Sequence, residues 1–489
     1  MTTEAEVRIW DMTVGYLIWD DSRRYADFEF DRRFISKDLD LSPLQIPHKN
    51  IESRKVYSFQ PSSENDRLTF KGLPLFIADS LPDSFGNKVI NAWLLQQGRH
   101  PDSFNPVEHL CYTGNRGLGA LEFYPAMFKP DKVENVDIIS LIELAQSVFA
   151  SRQNWHTNIR KRTSAIRDIV RVGASAGGAR PKAVIAYNEL TKEIKSGQIA
   201  AIPKGFEHWL LKIDGVSESA DLGLATGMGQ VEYAYYLMAK DSGIDMAECR
   251  LLEEKGRAHF MTRRFDRPGN GEKLHMQSLC ALANMNYTNI NSYNYENVFA
   301  VLRTMRFPHT SIEQLYRRMI FNVLAKNCDD HTKNISFLMD KQGNWSLSPA
   351  FDVSYAYDPT GRWNYQHFLS INGKNGGING NIFYPDLEKV GKEQGIKNRK
   401  EIIEQVCEVV SRWPEYAKAV GVDNEIAVGI GKTHEVQAIQ QTKLAQLVSR
   451  AISFPLDSKV KKSSALEQAS KIPNRESRNT LKNKGRKLN

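Results

Sequence analysis

With 489 residues, 41% of them hydrophobic and 10% aromatic, the chain can bury a large core in two or three domains or one bilobal unit, and its composition excludes wholesale disorder. No run of about eighteen apolar residues occurs and MTTEAEVRIWD is no signal peptide, so neither a membrane-spanning helix nor a membrane partner is expected. Five scattered cysteines without a CxxC pair (Cys111, Cys249, Cys280, Cys328, Cys407) suit a reducing cytoplasm and offer no zinc signature. Of the net charge of +8, seven units come from Asp457–Asn489, where ten Lys/Arg face three acids, so the body of the chain is nearly neutral.

In chain order, residues 1–60 predict a small antiparallel sheet, with EVRIWD, VGYLIWD and YADFEF separated by polar turns. Pro82 and Asp83 lead into an amphipathic run to Leu95, a helix expected to stop at Gly98. A short helix over Asn105–Cys111, a Gly-rich loop feeding a strand over Gly114–Ala126, and a helix over Asp137–Ala150 follow, with a β-rich first subdomain ending near residue 130. The stretch RVGASAGGARPKAVIAY (Arg171–Tyr187) is a loop of glycines and small residues running into a strand, and its backbone N–H groups suit phosphate oxygens. It is no Walker A motif, because Lys182 lies four residues past Gly178, behind Pro181, and a strand follows rather than a helix. A Gly-rich loop between strands is a kinase arrangement, though a plain structural turn accounts for it equally.

HWLLKIDG (His208–Gly215) reads as a short buried strand with one lysine inside. A buried ammonium needs a partner, and Glu232 in the helix that follows is the candidate; a lysine on a solvated sheet edge is the alternative. CRLLEE and RAHFMTRRFDR pair as strands about Lys255–Gly256 and close a segment of 131–270. From 271 to 455 the pattern turns helical: HMQSLCALA, YENVFAVLRTM, SIEQLYRRMIFNVLAKN, then closing helices over Glu401–Ala419 and Lys432–Ala451. A strand pair, NISFLM and NWSLSP, interrupts the helices, and GKNGGINGN forms a loop. The basic tail, 456–489, reads as disordered, and either a weak nucleic-acid contact or no ligand at all suits it.

NVLAKNCDDHTKNISF (Asn322–Phe337) concentrates the chemistry. Asp329 and Asp330 are followed by His331, Lys333 and Asn334, and beyond a hairpin SPAFDVS adds Asp352. One acid to accept a hydroxyl proton, with an amide and a second acid to hold Mg²⁺ against nucleotide phosphates, is what phosphoryl transfer requires. Taken alone, Asp329–Asp330 suits a turn or a helix cap as well.

GGARPKA, HWLLKID, MTRRFDR, NCDDHTKNISF and SPAFDVS, in this order and spacing, resemble the HipA family of serine/threonine kinases, the toxin half of a bacterial toxin–antitoxin pair. LFIADSLPDSFGN resembles part of that family's N-terminal subdomain. The resemblance covers roughly residues 5–450 and implies an α+β, bilobal protein-kinase-like fold (of the HipA and PI3/4-kinase kind) with a β-rich N-terminal subdomain and a mainly helical C-terminal lobe. It implies Asp329 as catalytic base and Asn334 and Asp352 as Mg²⁺ ligands. ATP would meet Lys212, a loop of Gly177, Gly178, Ala179, Arg180, Pro181 and Lys182, the backbone near Arg263 and Phe265, and His331. Ser175 stands where the family autophosphorylates itself into inactivity. It further implies a HipB-like DNA-binding antitoxin, DNA contact through that antitoxin, and an aminoacyl-tRNA synthetase as substrate. Residue 330 is Asp where some relatives have glycine, and Arg263 stands where glutamate is common. A regulatory protein that acts mainly by binding, and a kinase for another acceptor, are the alternatives.

Overall fold

The computed structural model describes residues 2–127, 135–136, 138–139, 141–142, 180–198, 201–216, 226–361 and 364–452. Ser175, Gly177, Gly178, Ala179, most of the helix expected over Asp137–Ala150, and the basic tail lie outside these residues.

Strands β1 (Glu4–Ile9), β2 (Met12–Asp20), β3 (Tyr25–Phe30), β4 (Val56–Ser58) and β5 (Leu121–Tyr124) form an antiparallel sheet in the order β4-β3-β2-β1-β5. Trp10 and Asp11 both take positive φ in the two-residue turn joining β1 to β2, the geometry that matches strand twist. Alternation puts Val7, Ile9, Leu17, Phe28 and Phe30 inward, against Phe34, Phe76 and Leu110 from the segments beneath. Asp83 caps the Ser84–Gln96 helix by accepting from Gly86 N at 2.6 Å.

A second sheet holds β6 (Lys182–Tyr187), β7 (Ile194–Ser196), β8 (Glu207–Lys212), β9 (Cys249–Glu254) and β10 (Arg257–Arg263) in the order β7-β6-β8-β10-β9. The Met228–Asp241 helix packs on it. Gly229 makes that approach possible, since a Cβ there would stand 2.0 Å from Ala258 O. Buried Asp214, just after β8, accepts from Gly227 N at 3.0 Å and Gly229 N at 3.2 Å and so fixes where the helix starts.

The C-terminal part is largely helical, with Tyr295–Thr304, His309–Leu324, Tyr384–Glu393, Arg399–Ser411 and Val436–Ile452 around one apolar core. In the His309–Leu324 helix, Ile312, Leu315, Met319 and Val323 recur on the buried face at helical spacing. A three-stranded sheet, β11 (His275–Ser278), β12 (Ser336–Met339) and β13 (Trp345–Leu347), joins the cores: Phe337 enters the helical one and Met339 the N-terminal one.

Three sequence expectations need correction. HMQS is β11 rather than helix, because it pairs with β12, and the Ser278 hydroxyl starts a helix only at Leu279. The helix expected over Glu401–Ala419 breaks at Arg412, where Pro414 occupies the first turn of a new helix, Trp413–Ala419. The last one starts at Val436 rather than at Lys432, which caps the preceding helix, Asn424–Gly431. Among the described residues no helix is long and apolar enough to cross a membrane.

Candidate functional site

Lys182 and Lys212 face each other across β6 and β8, paired Cα to Cα, so their side chains leave the same face of the sheet. Two buried like charges opposite one another are unfavourable unless acids intervene. Here they do. Lys212 Nζ donates to Glu232 in the first turns of the Met228–Asp241 helix and to Asp352 beyond β13. Burial works against the charge on Lys212, but Asp352 and then Glu232 outweigh it and hold the ammonium above its ordinary value. Burial likewise opposes ionisation of Asp352, and Lys212 and Lys182 overcome it, holding the carboxylate below its ordinary range. Asp352 has φ +55, a conformation that a non-glycine residue keeps only when its surroundings impose it, and such residues cluster at functional sites.

The His309–Leu324 helix ends at Ala325, and the loop behind it is tied down residue by residue. Asn327 Nδ2 donates to Asn322 Oδ1 (2.9 Å), Asn322 Nδ2 to the Tyr295 hydroxyl (2.9 Å), and that hydroxyl to Asp330 Oδ2 (2.9 Å). Asp330 also accepts from Phe368 N at 2.8 Å and meets His367 Nδ1 at 3.2 Å. Burial opposes the charge on His367, but Cys328 and Asp330 raise it to about 10, so the ring is cationic beside the acid. Asp330 is therefore buried and anchors the loop through Tyr295, His367 and Phe368.

Its neighbour differs. The Asp329 side chain is 45% exposed, with Asn364 Nδ2 at 3.2 Å and His331 Nε2 at 3.7 Å. Asn334 Nδ2 donates to Asp329 O at 2.8 Å, which holds the two ends of the loop together. Asp329, Asn334 and Asp352 line one small cavity of about 30 Å³ together with the anchored Asp330, room for a single ion or water. An amide oxygen and one carboxylate suit Mg²⁺, which takes few protein ligands and completes its shell with phosphates and water.

The remaining expected residues sit around this centre. Pro181 O accepts from Ile213 N at 3.0 Å, which extends the β6–β8 ladder one residue beyond Lys182, to the neighbour of Arg180. The Arg263 side chain turns outward to Glu207 (2.8 Å) and Glu248 (3.5 Å), while Phe265 packs at 5.7 Å on Phe351, next to Asp352. His331 lies edge-on to Tyr287 and Phe368. Sequence reasoning missed Asp83 of the first subdomain as a charge that Lys182 feels. Burial raises it to about 6 against the pull of Lys182. It also missed Asn364 and the Tyr295–Asp330–His367 anchor, none of which carries a spacing signal.

With this geometry in view, the comparisons are direct. Residues 5–124 match the HipA N-terminal domain family and residues 174–413 the HipA-like C-terminal domain family. The chain belongs to the HipA family. Its fold is similar to that in the Shewanella oneidensis MR-1 toxin–antitoxin complex of HipA, HipB and operator DNA, with a TM-score of 0.61 at 17% identity over 90% of this chain and 96% of that one. It is 27% identical over 125 residues to the Sinorhizobium fredii protein named "Putative kinase Y4mE", across 24% of this chain and 30% of the relative. It is 26% identical over 138 residues to a Haemophilus influenzae "Putative kinase", across 26% of this chain and 40% of the relative. The chain thus spans less than half the length of either curated relative. What HipA membership brings is a fold and a motif order; the roles of individual residues rest on the geometry above.

Proposed function

We propose that this HipA-family chain is an ATP- and Mg²⁺-dependent protein serine/threonine kinase and acts as a growth-arrest toxin. The observation that carries the reading is the double role of Asp352: it accepts from Lys212, which also meets Glu232, and it lines one cavity with Asp329 and Asn334 of the adjoining loop. Lys212 and Lys182 bind and orient the nucleotide phosphates, and Phe265 borders the adenine side of the cleft. Mg²⁺, when bound at Asn334 and Asp352, neutralises charge on the phosphates. The half-exposed Asp329 carboxylate accepts the acceptor's hydroxyl proton as that oxygen bonds to the γ-phosphorus and the bond to the leaving ADP oxygen breaks. Ser175 is the proposed site of self-inactivation. A HipB-like antitoxin is the proposed partner and the route to DNA; the likeness to a HipA chain seen with HipB and operator DNA supports it. An aminoacyl-tRNA synthetase is the proposed substrate, on family resemblance alone.

Asp329→Asn tests the reading: transfer of radiolabelled phosphate should fall by at least ~10³-fold with ATP affinity retained. Wild-type rates in this variant would remove Asp329 as the base. Growth and phosphopeptides of cells expressing each form then test the toxin and the acceptor. In vitro, Ser175→Ala should lose self-labelling.

A further inference from the structure

A cavity of about 1010 Å³ opens between the N-terminal subdomain and the C-terminal lobe, with Arg24, Arg67, Lys71 and Asp83 on one side and Tyr287 and Lys333 on the other. It adjoins the proposed active site at two points. Lys333 belongs to the Asp329–Asn334 loop, and Asp83 is coupled to Lys182. Its charges are uneven in how they are satisfied. Glu64 pairs with Arg67 at 3.3 Å, and Asp83 caps its helix through Oδ1 alone. Lys71 and Lys333 are in no ion pair among the described residues; Lys333 rests 4.6 Å over the Tyr287 ring. The Lys71 ammonium is drawn below its ordinary value, first by partial burial and then by Lys333, so the two cations sense each other across the gap. Lys71 is solvent-exposed, and its backbone is fixed where it ends the Glu64–Phe70 helix at φ +54, its N–H bonded to Arg67 O.

Two cations without ion pairs among the described residues line one hollow, one of them on the loop of the proposed base, and with Arg24 and Arg67 in the same wall they favour an arriving anion. A hollow of this volume admits a polypeptide segment. We infer that the cavity holds the acceptor segment and that Lys71 and Lys333 take an Asp or Glu side chain flanking the phosphorylated hydroxyl. This rests on the kinase reading and names the class of its substrate: serine or threonine in an acidic context.

The test uses the full chain and Ala-rich serine peptides with Glu, Ala or Lys at the flanking positions, read both as phosphate transfer and as fluorescence anisotropy with a non-hydrolysable ATP analogue and Mg²⁺. The wild type should favour Glu over Lys peptides by about tenfold in both readouts, and Lys71→Glu should reverse the order. An order unchanged by Lys71→Glu overturns the inference, as does a change in the KM for ATP with no change in peptide preference. Transfer without acidic preference leaves the kinase reading standing and removes this one. Lys71-dependent binding of Glu peptides without transfer does the reverse.

Discussion

Two clusters of buried charge flank β10, one past its C-terminal end and one beside its middle, where Lys212 pairs with Phe260, and they are finished to different degrees. Beyond its C-terminal end, Asp266 is enclosed by Arg264 (3.0 and 2.7 Å), Arg267 (2.8 Å) and Gly119 N (2.8 Å). The same arginines reach the carbonyls of Gly117 and Gly119 at 2.8–3.1 Å, which latches the N-terminal subdomain onto the segment behind Phe265. In the cleft, Asp352 is hydrogen-bonded by Lys212 alone among the described residues, on a backbone held at positive φ. Both clusters depress a carboxylate pKa against burial. The difference is unused capacity: a charge cluster whose hydrogen bonds are complete is architecture, and one left incomplete and strained is poised for a ligand.

The comparison breaks most visibly at the two aspartates. Asp352→Asn should cut transfer by ~10³-fold or more and cost less stability than loss of Asp266, since Lys212 keeps Glu232. Asp266→Ala should do the opposite. It strands two buried guanidinium groups and is expected to cost about 3–5 kcal/mol in denaturant unfolding, with a smaller effect on the rate per folded molecule. Equal effects of the two substitutions on stability would erase the distinction.

A gentler probe reaches the latch through its backbone. Gly119 has φ +73, and a Cβ there would lie 2.8 Å from Met276 N, so Gly119→Ala should cost about 2 kcal/mol in the same assay. A neutral result would mean that the loop yields and the latch is softer than its hydrogen bonds imply.

Legibility in the sequence divides along the same line. Lys212 and its partner Glu232 could be paired from the sequence because an ammonium inside HWLLKID demands an acid, and strands of every sheet, though not β7 or β11, advertised themselves by apolar alternation and turns. Local signals end there. Asp83 and Lys182 influence each other across about a hundred residues of sequence, Gly119 meets Asp266 across a longer gap, and Asp330 finds His367 in a stretch with no motif. Those contacts depend on how subdomains dock. The misread HMQS shows a second limit: four residues of mixed polarity fit either period, and only pairing with β12 decides between them.

The smallest effect isolates the architecture from both acid clusters by means of pH. Asp266 and Asp352 are held below the ordinary carboxylate range, so both stay ionised between pH 5 and 7 and contribute no slope there. His275, fully buried on β11 beside Met276, is pushed down by burial to about 3. Its folded value lies below its unfolded value of about 6.5. The unfolded chain therefore takes up the proton first, and stability falls as pH drops below 6.5, by up to about 1.4 kcal/mol per unit until pH nears 3. Between pH 6.5 and 5.5 the unfolding midpoint should thus move by about 1 kcal/mol from this residue. His275→Gln should remove that share of the slope and leave the shares of the buried His109 and His434, both lowered to about 4, in place. An unchanged slope in the variant would mean that the β11 pocket admits water, and the wall behind the latch would then be as open to solvent as the cleft.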